Sequence, residues 1–362
     1  MAEVDLAAVA LQFDGRRLAQ ARRLRSKLKA DLAVDVDLTP AAVGQFERGV
    51  TRPKPATVAK MSLALGVPPG FFTTRPINEI PEDQAHFRKL RATSKRARDE
   101  ARAQVELLAD LVAFIERRVR LPEVALPRDL SRVSPEEAAA ELRTRWQLGL
   151  GPIASAVGLL ERKGTVVARL QASSDEIDAF SCWMGGRPFV ILASNKHAAD
   201  RARFDAAHEL GHLILHQDVQ PGDPTTEQEA HRFAAELLMP AAAIRAELPP
   251  RLSWHRYLEL KGRWGVSMAG LIRRAHDLDV IADTAYRRAM IELGRKGWRT
   301  REPDTLIETE QPELIARALM LLEEHRQLSL AKISGELSLS LSDAQSLATM
   351  AEADRQWPIL PE

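Results

Sequence analysis

Residues 206–214 read Ala206-Ala207-His208-Glu209-Leu210-Gly211-His212-Leu213-Ile214. Two histidines four apart, with a glutamate after the first, stand in an otherwise apolar run. On an α-helix, four residues turn about 40° past a full revolution and rise about 6 Å. His208 and His212 therefore share a face, and both imidazoles can meet one ion. Zinc takes two neutral imidazoles and a carboxylate and leaves one position for water. Glu209, next to the first histidine, is placed to accept a proton from that water and hand it to a leaving amine. Gly211 lets a neighbouring backbone come close. The plain alternative is two ordinary histidines on a half-buried helix, and the flanking sequence argues against it.

Upstream, Ala179–Met184 and Arg187–Ala193 read as strands joined by Gly185-Gly186, a two-residue hairpin turn. Thr165–Leu170 reads as a further strand, and the motif lies on a helix over Arg201–His216. Downstream, Thr225–Met239 is a second helix, ended by Pro240. The third ligand is expected there, with Glu227, Glu229 and Glu236 as candidates. Glu227 shares a stripe with Ala230, Ala234 and Leu238, where small residues permit close packing. Glu229 and Glu236 lie nearer Phe233 and read as solvated edges, so spacing favours Glu227 without deciding. This hairpin–helix–helix layout is that of a zincin core. His216 lies about 12 Å along the axis from His208, too far to share its ion, and is read as a group behind the ligands or at the helix end. Tyr257, Tyr286 and His231 are the candidate oxyanion donors. Cys182, on the hairpin, is read as a half-buried strand cysteine.

The chain has 362 residues, which at roughly 100–200 per domain predicts two or three domains. Net charge is +1, but the N-terminal third is locally basic. Seven Lys/Arg fall between Asp14 and Lys29, and seven more between His86 and Arg102. That asymmetry points to nucleic acid or an acidic partner, against the plain reading of solvated helix faces. A single cysteine allows no disulfide within the chain and fits a reducing cytosol. No signal peptide and no run of about 18 apolar residues is visible, so a cytoplasmic protein without membrane contact is expected. No internal repeat or low-complexity segment is visible.

Residues 14–72 read as short helices. Thr39 caps a helix from Pro40 to Arg48 that Gly49 ends. Ala56–Leu65 follows, closed by Gly66, with Phe71-Phe72 plugging the core. Val43 and Phe46 face inward while Gln45 and Arg48 face out. The expected division is a helical domain over 13–75, a basic linker helix over 76–130, the metal-binding domain over 131–300 and a helical region of open role over 301–362. The fold class is α+β, mainly α: a five-helix N-terminal domain, a zincin-like core with a small β-sheet, and helices at the C-terminal end.

Two resemblances extend this reading. The run from Phe204 to Pro240, "FDAAHELGHLILH" and "EQEAHRFAAELLMP", is similar to the ImmA/IrrE family of zinc peptidases, and the likeness spans about 150–297. It implies Zn2+ as cofactor, Glu227 as third ligand, and a helix-turn-helix repressor or antitoxin-like protein as substrate. His231 stands where the family has Asn, and Asp205 where Thr is common. The segment Phe13–Phe72, through Thr39 to Gly49 and Pro53, resembles an XRE-type helix-turn-helix. It implies DNA contact, with Arg16, Arg17 and Lys54 on phosphates and Thr39, Gln45 and Arg48 on the reading helix. The second helix lacks the usual Gln, and few long polar side chains face out. The expected function is an intracellular zinc endopeptidase and regulator. The alternatives are a DNA-binding regulator whose peptidase fold is only a sensor or scaffold, and the antitoxin half of a toxin–antitoxin pair. A homodimer is left open.

Overall fold

Strand alternation divides the molecule into two cores. The computed structural model describes residues 5–74, 94–170, 179–193, 199–217, 223–299, 301–303 and 309–350. Within them, β1 (Val166–Leu170), β2 (Phe180–Met184) and β3 (Arg187–Ala193) form one sheet in the order β1-β3-β2. β3 runs parallel to β1 and antiparallel to β2. Gly185 and Gly186 join β2 to β3 with φ of 58° and 82°, the left-handed pair that a tight hairpin requires. Successive strand residues point to opposite faces. Val166, Ala168, Phe180, Cys182, Phe189 and Ile191 enter the first core, and Val167, Val190 and Leu192 enter the second.

The first core begins with α1 (Leu6–Leu11), α2 (Gly15–Leu24), α3 (Lys29–Asp35), α4 (Pro40–Glu47), α5 (Pro55–Leu65) and a 3₁₀ turn at Pro69–Thr73. Thr39 Oγ1 accepts the Ala42 N–H at 3.2 Å, with Pro40 as the first helical residue, as the capping signals require. Gly66 closes α5 at φ 58°. Phe71 and Phe72 are buried. The short α1, capped by Asp5, lies outside the expected 13–75 unit.

α6 (Lys95–Glu116) is the helix found within the expected 76–130 linker helix, and 117–130 are described and carry no helix; residues 76–93 lie outside the described residues. It is buried on most sides, and Glu106 and Asp110 are only 1% and 4% exposed. Two acids at that depth require partners, and α2 supplies them. Arg17 Nη1 meets Asp110 Oδ2 at 2.7 Å, Arg23 Nη2 meets Glu106 Oε2 at 3.0 Å, and Gln20 Nε2 donates to Glu106 Oε2 at 3.3 Å. Arg17 is therefore not a phosphate contact. It lies on the inward stripe of α2 with Gln20 and Ala21, and the acid that neutralises it is far away in sequence.

The second core is built by α7 (Pro135–Arg145), α8 (Ala156–Arg162), α9 (Ala199–Leu215), α10 (Pro224–Leu238), α11 (Ala241–Ile244), α12 (Trp254–Trp264), α13 (Met268–Asp277) and α14 (Asp283–Arg295). Ser134 and Glu137 form a capping box at the start of α7. Arg203, near the start of α9, is buried, ion-paired to Glu310 and donating to the carbonyls of Ile153 and Trp264.

α15 (Leu314–Arg326), α16 (Leu330–Glu336) and α17 (Leu341–Met350) return to the first core. They hold a repeat that the residues conceal. α3 runs from Lys29 to Asp35 and α16 from Leu330 to Glu336. Left-handed residues stand at Ser26 and Asp37 in one copy, φ 51° and 56°, and at Gln327 and Ser338 in the other, φ 51° and 53°. Leu38 N donates to Ala33 O at 2.8 Å, as Leu339 N does to Ser334 O. Thr39 caps the Ala42 N–H, and Ser340 caps that of Asp343. The apolar pattern recurs (Leu32/Ile333, Val43/Ala344, Phe46/Leu347), while few residues are identical. The second copy is fastened by Glu161, which accepts from Glu313 N and Leu314 N, and by Arg25 on Asp343 at 2.8 Å.

Asp110→Ala is expected to destabilise the protein by about 3 kcal/mol, the lower end of the cost of stranding a buried charge. Arg17 keeps the Gln20 side chain and the Thr74 carbonyl as partners. Denaturant unfolding of the parent and variant measures this, and a change below 1 kcal/mol (, the ~1 kcal/mol ceiling of exposed pairs) contradicts it.

Candidate metal centre

The site is created where α9 and α10 touch. A Cβ added to Gly211 lies 3.1 Å from Phe233 Cδ1 and 3.2 Å from the Ala230 Cα. Even a methyl group there would press on α10 more closely than ordinary van der Waals contact allows. The small Ala230 and Ala234 line the same contact and are fully buried. Glu227, one turn before Ala230, is thereby brought to the two histidines. His208 Nε2 and His212 Nε2 are 3.2 Å apart, and Glu227 stands 3.4 Å from the first and 3.5 Å from the second. Ligand bonds of 2.0–2.1 Å at a tetrahedral angle place ligand atoms about 3.3 Å from one another, so the three fit one zinc ion. Among the described residues they are the group of His, Cys, Asp and Glu suited to hold a metal. Ring contacts from His208 and His212 hold the Glu227 carboxyl well below the usual carboxylate range.

The other two acids of α10 are engaged elsewhere. Glu236 pairs with Arg274 and accepts the Ala241 N–H at 3.1 Å. Glu229 Oε2 lies 2.9 Å from His216 Nε2, and His216 Nδ1 lies 3.1 Å from His212 Nδ1. A neutral imidazole has one donor and one acceptor nitrogen. With the lone pair of His212 Nε2 turned to the cluster, its proton sits on Nδ1 and is donated to His216. His216 then carries its proton on Nε2 and donates to Glu229. Burial pushes the His216 pKa down, in keeping with this neutral form. The chain carboxylate–imidazole–imidazole fixes the ring of His212.

Glu209 is 3% exposed, and its Oε2 accepts from Ser181 Oγ at 2.8 Å. Ser181 was not singled out from the sequence. Its signal is weak: the one polar residue of β2, on the face opposite Cys182. β2 ends the sheet order and packs against α9. Cys182 points into the first core, and burial pushes its thiol up to about 12. His231 is exposed, its ring 4.8 Å from Phe204 and 6.3 Å from His208. Tyr257 is fully buried, its hydroxyl unpartnered, and Tyr286 stacks on His276 at 4.6 Å.

In the N-terminal unit, Thr39, Gln45, Arg48 and Lys54 are exposed. Arg16 is exposed and paired with Asp14 at 2.6 Å. α2 docks on α6 with its inner face, so α4 keeps its outer face free of that contact.

Among the described residues, no helix is long and apolar enough to cross a membrane. No curated protein matches the chain. Residues 18–72 match the family model described as helix-turn-helix, and residues 160–276 match Peptidase_M78, described as the IrrE N-terminal-like domain. The chain thus joins an XRE-type helix-turn-helix to an IrrE/ImmA-like domain of metallopeptidase fold, the arrangement of a DNA-binding regulator with a peptidase-like domain.

Proposed function

We propose that the IrrE-like domain is a cytoplasmic zinc endopeptidase that cuts a repressor- or antitoxin-like protein. The observation that carries this is the spacing of His208, His212 and Glu227, with Glu209 beside them. Zinc held by the three would polarise the scissile carbonyl and acidify a water. Glu209 accepts the proton of the attacking water and gives it to the leaving amine. Ser181 holds the Glu209 carboxylate in place through its hydroxyl. β2, at the end of the sheet order, offers backbone groups to an extended substrate segment. Thr39, Gln45 and Arg48 read DNA, and Arg16 and Lys54 touch its backbone.

The second reading, a regulator whose peptidase fold is a sensor, has its own support. The helix-turn-helix shares one continuous core with α6 and the sheet, so changes at either end can reach the other. The two readings separate on Glu209→Gln. The variant is expected to keep stoichiometric zinc, measured by metal analysis, and to lose cleavage of repressors encoded nearby, measured by fragment mass spectrometry. Cleavage at the parental rate removes Glu209 from the mechanism. If neither protein cuts and both retard DNA equally, the sensor reading stands.

Glu229→Ala breaks the chain behind His212 and is expected to weaken zinc affinity about 10–100-fold, read by chelator competition. Glu229→Gln keeps an acceptor for His216 and is expected to recover part of that loss.

A further inference from the structure

The two basic runs of the sequence are not separate features. The cleft where the α2–α3 corner meets the start of α6 has a volume of about 250 Å³ and is lined by Arg22, Arg23, Lys27, Lys29, Lys95 and Arg96. Asp99 is the acid in its wall. The start of α6 is tied to this corner: Arg96 pairs with Asp31 at 2.6 Å and donates to the Ser26 carbonyl, and Ser26 donates to Glu100. The cations outnumber the acids that serve them. Arg22 and Lys29 share Glu47, at 2.5 Å and 3.3 Å, and Arg23 and Arg102 share Glu106, at 3.0 Å and 3.1 Å.

Depth sorts these cations into two kinds. Glu47 and Glu106 are 6% and 1% exposed, so the arginines they hold serve the fold. Lys29 and Arg96 are 43% and 51% exposed, and Lys95 is exposed as well. A half-exposed pair such as Arg96–Asp31 is worth about 0–1 kcal/mol and yields readily to a phosphate. The cleft also adjoins the reading helix. A Cβ on the buried Gly44 of α4 lies 3.2 Å from Arg48 Nη1 and 3.7 Å from Lys29 Nζ, so Lys29 stands between the cleft and α4.

We propose that this cleft binds the phosphate backbone of DNA, with Lys95 and Arg96 of α6 extending the footprint of the helix-turn-helix. α6 is then a DNA contact at its start and a core element of the rest of the molecule along its length. The inference rests on the helix-turn-helix binding DNA and adds the contact that joins DNA to the peptidase-like part.

The test uses the full chain and a random-sequence duplex, with affinity measured by fluorescence anisotropy across a salt series. Each lost phosphate contact lowers the slope of log K against log salt by about 0.9. Lys95→Ala/Arg96→Ala is expected to flatten the slope by about 1.8 and to weaken binding alike on all sequences. Arg287→Ala/Arg288→Ala, on the exposed face of α14, is expected to leave it unchanged. An unchanged slope in the α6 variant, with parental unfolding temperature, overturns the cleft alone. Absence of duplex binding by the parent overturns the DNA reading of the whole N-terminal unit. Calorimetric binding of inorganic pyrophosphate that the variant loses, with the DNA slope unmoved, reassigns the cleft to a small anion and also overturns the proposal.

Discussion

The contact of α9 with α10 at Gly211 governs the rest of the candidate metal centre. Three ligand atoms must sit about 3.3 Å apart for one zinc ion, and they come from two helices. Side chains on adjoining helices ordinarily hold the axes 8–10 Å apart. Gly211, Ala230 and Ala234 remove that padding, so the short carboxylate of Glu227 reaches both imidazoles. The same closeness aligns Glu229 with His216. His208, His212, Glu227, Glu229 and His216 are thus set by one steric choice, and the choice is made with residues that have no chemistry of their own.

The sheet does the complementary task. Its alternation gives α9 a polar partner at Ser181 while turning Cys182 toward the opposite core. A strand therefore orients Glu209 on one face and packs against the helices that carry the N-terminal unit on the other. The two cores are separated by a single layer of three strands. The buried ion pairs between α2 and α6 fasten the N-terminal helices to the first core, because an acid at 1% exposure cannot give up its partner cheaply.

Much of this was legible in the residues, for identifiable reasons. His208 and His212 are four apart on one helix, so their meeting follows from helical pitch alone. The Gly185-Gly186 turn and the Thr39-Pro40 helix start are equally local. Glu227 was favoured by its stripe, but its distinction from Glu229 and Glu236 needed the partners those acids take, His216 and Arg274, and the second of these lies on a different helix. Arg17 shows the limit most clearly. A basic run announces its charge but not which members face inward, and its acid lies on α6. Ser181 was hidden for a similar reason: a lone serine in an apolar strand becomes informative only when the residue across from it is known.

The matching geometry of α3–α4 and α16–α17 carries a last implication. Where the first copy exposes Gln45 and Arg48 along its outer helix, the second has Ser346, exposed, and Thr349, half-buried. The geometry recurs without those longer polar side chains. Its apolar side, with Ile315, Leu319, Leu322 and Leu347, completes the wall behind β1 and α6. The second copy serves as masonry, and a polypeptide stopped before Leu314 leaves that wall facing water as a sticky, oily surface.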